Sequence, residues 1–136
     1  MNKIRIRALD LVLLCLGLVF FVGILTVFQP CGPREDGSWM SCHWAGRALA
    51  GVAGTMLLLA AFRLAVKPEV KRGLDLALLV LCALAALLPG RLIALCAMPD
   101  MRCRTLMAPC AVVFPVLTAL TALLDLIVFG RGGKTP

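Results

Sequence analysis

The sequence predicts an all-α fold, a polytopic membrane four-helix bundle made of two parallel helical-hairpin repeats. Three observations predict this class. The 136 residues are 62% hydrophobic, whereas a soluble domain of this length has about 45–50% apolar residues. Four stretches are long and apolar enough to cross a bilayer, and a ten-residue segment near the N-terminus recurs in the middle of the chain. The length is enough for one domain, so we treat residues 1–136 as a single membrane domain.

A transmembrane helix needs about 20 predominantly apolar residues, and four segments of the chain meet this requirement. The second segment carries Arg47 and Arg63 near its ends, where long side chains can reach the headgroups. The third is the least regular, because Pro89 and Gly90 are followed directly by Arg91. This combination predicts a kink or an early exit from the membrane. The four predicted spans are residues 11–28, 44–66, 76–96 and 105–124.

An internal repeat predicts how the helices pair. The segment RALDLVLLCL, which begins at residue 7, matches RGLDLALLVL, which begins at residue 72, at seven of ten positions. Asp10 lies 21 residues before Cys31, and Asp75 lies 21 residues before Cys96. Each cysteine is followed by a polar loop, a Met-x-Cys motif and the next apolar span, so each repeat is a helical hairpin. The predicted repeats are residues 7–66 and 72–129.

The distribution of lysine and arginine predicts that both termini are cytoplasmic. Nine of these residues lie on the side of the predicted termini and five on the other side, and cytoplasmic loops carry the excess of positive charge. The net charge of +7 therefore reflects membrane topology rather than nucleic-acid binding. The first group is Lys3, Arg5, Arg7, Arg63, Lys67, Lys71, Arg72, Arg131 and Lys134; the second is Arg34, Arg47, Arg91, Arg102 and Arg104.

Sulfur ligands are concentrated in two loops that this topology places outside the cytoplasm. The first loop contains Cys31 and the sequence MSCHW at residues 40–44, and the second contains Cys96 and the sequence MRCR at residues 101–104. His43, in the first loop, is the only histidine of the chain. Thiol, thioether and imidazole groups in such short segments point to cysteine chemistry or to a soft metal ion.

The other three cysteines lie in predicted helices. Cys15 and Cys82 are within apolar spans, where a single cysteine usually acts as a small apolar side chain. Cys110 is predicted just inside the outer leaflet, and the sequence assigns it no role. Five of the seven cysteines thus fall on the oxidising side of the membrane, which packing alone would not select.

These motifs resemble a family of small four-helix bacterial and archaeal membrane proteins that is known only as a domain of unknown function. Its pattern is Pro-Cys after the first helix, then Met-x-Cys-His-Trp, and later a cysteine followed by Pro-x-Met-x-Cys. The resemblance implies an integral membrane protein and supplies no reaction. Members of this family lie near permease components of export-type transporters. The resemblance therefore implies other membrane subunits, or a second copy of the chain, as partners. The matching residues are Pro30, Cys31, Met40, Cys42, His43, Trp44, Cys96, Pro99, Met101 and Cys103.

The interpretation that we favour for the loops is structural. Disulfides between Cys31 and Cys42 and between Cys96 and Cys103 would close each loop, as is common in oxidising compartments. Each bond would stabilise its loop by about 2–3 kcal/mol on the chain-entropy estimate. On this interpretation His43 has no special partner.

Two other interpretations remain open. A soft-metal site would use some of the same residues, and copper(I) suits thiolate and thioether ligands, whereas zinc would not explain the methionines. Thiol–disulfide exchange is the weaker of the two, because such sites use C-x-x-C and the sequence PCGPR has Arg34 where the second cysteine is needed. The predicted metal ligands are Met40, Cys42, His43, Met101 and Cys103.

Three aspartates fall near the predicted cytoplasmic boundary. Carboxylates inside a membrane can mark proton or ion paths. However, Asp10 and Asp75 open their predicted helices, and Asp125 lies about one turn from the end of its own. We therefore expect them to stabilise helix N-termini and to pair with an arginine, although the sequence gives Asp125 no specific role. The candidate partners are Arg7, Arg63 and Arg72.

The second predicted helix carries a stripe of small residues. Gly46, Ala50 and Gly54 recur at a spacing of four residues, which places them on one face of the helix. Small residues at this spacing let two helix backbones approach closely in a membrane. We therefore expect a neighbouring helix to pack tightly on this face.

The sequence contains no P-loop, nucleophile elbow or pair of catalytic carboxylates, so we favour a protein without enzymatic activity. The function that we predict is an accessory or scaffold subunit of a membrane complex, with loops held by disulfides. The alternative is a soft-metal, copper-type, or thiol-redox protein that uses the same loops. Its partners would be the lipid bilayer and other membrane subunits or a second copy, and we expect no nucleic acid.

Overall fold

The computed structural model describes residues 2–132 and consists of four α-helices. A single π-helical turn, Cys103–Met107, leads into the fourth helix, and the described residues form no strand. The predicted all-α four-helix fold is therefore confirmed. Of the residues that predicted the topology, Lys134 lies outside the described residues, as do the side chains of Lys3, Arg5 and Arg131. The helices are α1 (Asn2–Thr26), α2 (Ser41–Ala65), α3 (Pro68–Leu87) and α4 (Ala108–Gly132).

The helices alternate in direction around the bundle. α1 packs on α2 and α3 on α4, while contacts between α1 and α4 and between α2 and α3 close the ring. Charged side chains from all four helices meet at one end, and sulfur atoms from both loops meet at the other. α1 and α3 therefore run in the same direction, opposite to α2 and α4. The charged end contains Asp10, Arg63, Lys71, Asp75 and Asp125, and the sulfur end contains Cys31, Cys42, Cys96 and Cys103.

The two ends are separated by about the thickness of a membrane. Cys42 and Arg63 lie on the same helix, 21 residues apart, and an α-helix rises about 1.5 Å per residue. The separation is therefore about 32 Å along α2, close to the roughly 30 Å of hydrocarbon in a bilayer. The two clusters of functional groups thus lie at opposite faces of the apolar layer.

Three of the helical segments are long and apolar enough to cross a membrane: Arg7–Thr26, Ser41–Ala65 and Cys103–Val128. Large apolar side chains cover the outward faces, including Leu18 and Val80, which are 50% and 69% exposed. Apolar side chains exposed on this scale are stable when lipid surrounds them. The bundle therefore belongs in a bilayer.

The third helix differs from its prediction at both ends. It begins at Pro68, eight residues before the predicted span of residues 76–96, and ends at Leu87. Pro89 has no N–H to continue the helix, and Gly90 adopts a positive φ of 87° that favours glycine. The N–H of Gly90 donates to the carbonyl of Ile93 at 2.9 Å, which reverses the chain. The predicted early exit is thus confirmed, and the residues after it form a loop.

The charged end is organised around Arg63, whose side chain is completely buried. Its Nε and Nη2 donate to Oδ1 of Asp10 at 3.2 and 2.9 Å. The same guanidinium also forms ion pairs with Asp75 and Asp125, and Lys71 pairs with the second oxygen of Asp10. Arg63 on α2 therefore bonds to one aspartate from each of the other three helices.

Two expectations about these residues were wrong and one is confirmed. Asp10 and Asp75 do not open their helices, because α1 begins at Asn2 and α3 at Pro68, about two turns earlier in each case. Arg63 does not reach the headgroups, because the three carboxylates hold it inside the bundle. Pairing of the aspartates with Arg63 is confirmed, and a charge group buried this deeply is stable only because its members neutralise one another.

The residues that the two repeats match come together in the structure. Asp10 and Asp75 both bond to Arg63, and Cys31 and Cys96 lie in the same group of thiols. This placement agrees with two parallel hairpins of the same design. Their origin as repeats of residues 7–66 and 72–129 remains a prediction.

Replacing Arg63 should lower the free energy of unfolding of the bundle more than replacing an exposed arginine. In Arg63→Met the apolar volume is kept but three buried carboxylates lose their common partner, so we expect a loss of about 3–5 kcal/mol in the free energy of unfolding. Arg47→Met, at an exposed position of the same helix, is the control and should change it by less than about 0.5 kcal/mol. Denaturant unfolding in detergent micelles measures both. Equal stabilities of the two variants would contradict the role of Arg63 in stabilising the bundle.

Candidate metal centre

The first loop is held against the start of α2 by close packing. An added Cβ at Gly46 would lie 2.7 Å from Cγ of Pro30, so the proline ring rests on the glycine backbone. Further along the stripe, an added Cβ at Gly54 would approach the ring of Phe21 on α1 to 3.3 Å. This second contact confirms the close helix packing expected from the small residues, whereas the neighbour of Gly46 belongs to the loop. Cys31 follows Pro30 directly and is thereby fixed above α2, near Cys42 in the first turn of that helix.

The second loop is tied to the same place by hydrogen bonds. The hydroxyl of Ser41, at the start of α2, donates to the carbonyl of Ala94 at 2.8 Å, which fixes the chain two residues before Cys96. The carbonyl of Met101 accepts from the N–H groups of Arg104 and Thr105 at 2.9 and 3.0 Å. These bonds start the π-helical turn whose first residue is Cys103. Single π turns inside helices often occur at functional sites.

Four cysteines from the two loops form one compact group. The Sγ atoms of Cys31, Cys42, Cys96 and Cys103 all lie within 4.8 Å of one another. Cys42 and Cys103 are completely buried, and Cys31 and Cys96 are half-buried. Two thiols therefore line the interior of the bundle end, and two close it from the loop side.

Contacts within this group cross between the hairpins. The thiol of Cys31 lies 3.7 Å from Sγ of Cys103 and 3.7 Å from Sδ of Met101, which both belong to the second hairpin. In return, the thiol of Cys96 lies 3.3 Å from Sγ of Cys42. Each loop cysteine thus contacts the Met-x-Cys motif of the other hairpin, and the sulfur atom of Met40 completes the second set at 3.7 Å from Cys96.

The predicted disulfides are not formed in the structure. All seven cysteines are free thiols, and the short contacts join Cys31 to Cys103 and Cys42 to Cys96 rather than the two cysteines of one loop. Pairing within each loop therefore stays a prediction. The loop motifs identified the four cysteines that form the group, but not which of them contact each other.

The predicted metal ligands are brought together only in part. Cys42 and Cys103 belong to the four-cysteine group, and Met40 and Met101 contact its outer members. His43 does not belong to this group: its ring stacks on Trp39 with centroids 4.0 Å apart and meets the edge of Trp44 at 5.6 Å. Cys31 and Cys96 are missing from the predicted ligand set, although the matched Asp–Cys spacing of the two repeats was a signal that could have placed them together.

Burial disfavours the thiolate form of two members of the group, Cys31 and Cys96. Burial raises the pKa of the Cys31 thiol above its ordinary value. Burial also raises the pKa of Cys96, and hydrogen bonds with the side chains of Cys42 and Cys103 act in the same direction. Because a metal ion binds the thiolate form, its binding must displace these protons. Metal affinity at this site should therefore rise with pH and fall on acidification.

The arrangement suits a single metal ion. Zinc binds thiolate sulfur at about 2.3 Å with tetrahedral geometry, so ligand sulfurs around one such ion lie about 3.8 Å apart. The sulfur–sulfur distances of 3.3 and 3.7 Å in the structure and the upper limit of 4.8 Å bracket this separation. The group can therefore hold one tetrahedrally coordinated ion after small movements of the side chains.

A family model described as Domain of unknown function (DUF4418) matches residues 13–128. The chain belongs to this family. The matched range includes all four cysteines of the group together with Arg63, Asp75 and Asp125. No curated protein and no solved structure matches the chain. Membership of the DUF4418 family therefore assigns no reaction, and the chemistry must be inferred from the site.

The remaining cysteines lie outside the group. Cys82 is buried in the helical core, as expected for an apolar filler, whereas Cys15 is exposed on α1. Cys110 lies in the first turn of α4 and is half-buried. These three provide matched positions at which a cysteine can be replaced without touching the sulfur group.

Adding one methyl group at Gly46 should disturb the sulfur group. The new Cβ would overlap Pro30, so the adjacent Cys31 must move away from its partners. We expect Gly46→Ala to weaken binding of Cd²⁺ several-fold, measured by the ultraviolet thiolate-to-metal band. Gly51→Ala in the same helix meets no atom within 4 Å and should bind Cd²⁺ as the parent does. Unchanged Cd²⁺ binding in both variants would show that Pro30 does not position Cys31.

Proposed function

We propose that this member of the DUF4418 family is an integral membrane protein that binds one soft metal ion with the thiolates of Cys31, Cys42, Cys96 and Cys103. The observation that carries the proposal is the convergence of the four Sγ atoms within 4.8 Å. Four thiolates attract soft or borderline ions such as copper(I) and zinc, and disfavour calcium and magnesium. The proposal keeps the soft-metal interpretation of the sequence but replaces its ligand set.

Copper(I) is the ion that we propose. Both metals suit four thiolates, but zinc sites use cysteine, histidine and carboxylate ligands rather than thioethers, and thioether sulfur is a ligand of copper(I). The Sδ atoms of Met40 and Met101 each lie 3.7 Å from a cysteine of the group. The thioethers thus extend the sulfur environment around the four thiolates, which favours copper(I) over zinc.

The proposed location is the bacterial plasma membrane, with four spans and with both termini in the cytoplasm. The charge distribution supports this orientation, because Lys67, Lys71 and Arg72 lie between α2 and α3 or at the start of α3. The sulfur group then faces the extracytoplasmic side. A metal site in this position receives ions from outside the cell rather than from the cytoplasm.

A second candidate function is structural. The contact of 3.3 Å between the sulfur atoms of Cys42 and Cys96 favours disulfides that join the two hairpins, with Cys31 and Cys103 as the other pair. In this form the protein would be an accessory or scaffold subunit of a membrane complex, for example beside a transporter permease, with no metal-dependent role. The same residues serve both candidates, so the oxidation state of the native protein decides between them.

Metal content and thiol state should be measured on the same preparation. We expect the protein purified in mild detergent to contain one copper ion per chain, and to react with four alkylating groups at these cysteines only after the metal is removed. Serine at any one of the four positions should abolish most of the binding. Cys15→Ser removes an exposed thiol outside the group and should bind copper as the parent does.

The outcomes separate the two candidates. Copper bound in proportion to protein, lost in Cys42→Ser and retained in Cys15→Ser, supports the metal site. Four cysteines that become alkylatable only after treatment with a reductant, in a protein without copper or zinc, would overturn it in favour of disulfides. Stoichiometric zinc that copper(I) fails to displace would keep the thiolate site but refute copper as its ion.

Topology should be tested with two glutamates at opposite ends of the bundle. Glu35 lies in the first loop and Glu69 at the start of α3, and both are exposed. We expect a membrane-impermeant maleimide to label Glu35→Cys in intact cells and to label Glu69→Cys only after permeabilisation. The parent protein, with its seven native cysteines, gives the background. Labelling of Glu69→Cys alone in intact cells would invert the orientation.

A further inference from the structure

A cleft lined by methionine opens beside the sulfur group. It encloses about 350 Å³ and its walls contain three of the six methionines of the chain, together with one cysteine of the group. Among its described lining residues only Arg34 is charged, and no carboxylate is present. The cleft therefore offers no anionic oxygen ligand to a hydrated divalent cation, which prefers such ligands. The sulfur-bearing lining residues are Met40, Cys96, Met98 and Met101.

The sulfur ligands become more buried from the mouth of the cleft to the metal group. Met98 is 65% exposed to solvent. Met40, Met101 and Cys96 are half-buried, and the sulfur atoms of Met40 and Cys96 are 3.7 Å apart. Cys96 in turn lies 3.3 Å from Cys42, which is completely buried. Thioethers thus stand on the solvent side and thiols on the protein side of one continuous path.

A second cavity also reaches the group, at Cys31, but methionine does not line it. It encloses about 360 Å³ and contains a single sulfur atom, that of Cys31, among aromatic, aliphatic and amide side chains. His43 and Arg47 also line it, so a soft ion that entered this way would meet one thiol and no thioether. Of the two cavities, only the methionine cleft offers a soft ion a ligand at each step.

We propose that the methionine cleft is the loading route by which copper(I) reaches the four cysteines. This inference rests on the proposed function of the cysteine group. Neutral thioethers bind copper(I) but hold it less tightly than thiolates, so the ion passes from Met98 to Met40 and Met101 and then to the cysteines in order of increasing affinity. No electron is transferred: copper remains copper(I), its thioether bonds are replaced by bonds to thiolate, and the displaced thiol protons go to solvent.

The route predicts that entry through the cleft is selective for copper(I). Zinc and cadmium bind the final thiolates but gain little from thioethers, so their rate of binding should not depend on methionine. Arg34 at the cleft adds a positive charge that repels free cations and favours copper(I) presented as an anionic complex. A copper(I) complex with an anionic chelator is therefore a suitable donor for the experiment.

Loading should be followed by mixing the metal-free, reduced protein with the anionic copper(I)–bicinchoninate complex under anaerobic conditions and recording the loss of its colour. We expect Met98→Leu to slow copper(I) transfer several-fold while leaving the final stoichiometry at one ion per chain. Met56→Leu replaces a methionine buried in the middle of α2, away from the cleft, and should transfer copper at the parental rate. Cadmium uptake should proceed at the same rate in all three proteins.

Each outcome bears on one proposal. Equal rates of copper transfer to the parent and to Met98→Leu, with copper bound by both, would overturn the loading route and leave the cysteine site intact. Equal slowing of copper and cadmium in Met98→Leu would also overturn it, because a general change in the loop would then be responsible. No copper binding by the parent would refute the proposed function itself. Slower copper transfer in Met40→Leu as well, with normal cadmium uptake, would support the order of ligands along the path.

Discussion

The buried pairing of one arginine with three aspartates is the constraint on which the rest of the bundle depends. Helices in a membrane gain little from burying apolar surface against one another, so polar contacts decide which faces meet. Arg63 bonds to Asp10, Asp75 and Asp125, one from each of the other helices. A helix that rotated or shifted would leave a carboxylate unpaired in an apolar medium. The contact therefore sets the rotation and depth of all four helices at once.

The position of the cysteines follows from this constraint at the far end of the bundle. Once Arg63 fixes the helices, the loops after α1 and α3 must emerge side by side, and Cys31 and Cys96 reach the Met-x-Cys motif of the opposite hairpin. The sulfur group therefore requires both hairpins, and neither could assemble it alone. Charge neutralisation at one face of the membrane thus determines whether the thiols at the other face can converge on one ion.

Much of the fold could be predicted from the sequence, because long apolar segments have few alternatives to helices in a membrane. The early end of α3 was also readable, since Pro89 and Gly90 cannot continue a helix. The role of Arg63 was not, because an arginine near the end of an apolar segment looks the same whether it turns to the headgroups or to a partner. For the same reason the sequence named Arg63 only as one of three candidate partners of the aspartates and did not show that all three carboxylates share its guanidinium.

The sequence predicted which types of residue form the candidate site, but not which of these residues contact one another. Two short loops of different length do not reveal whether cysteines pair within a loop or between loops, and the structure brings them together between loops. His43 was predicted as a metal ligand because it is the only histidine of the chain, yet its ring packs on Trp39.

X-ray absorption at the copper edge of the purified, native protein tests the site most directly. The spectrum should contain sulfur scatterers alone at about 2.3 Å or slightly less, and nitrogen or oxygen scatterers in the first shell would contradict a site built from these cysteines.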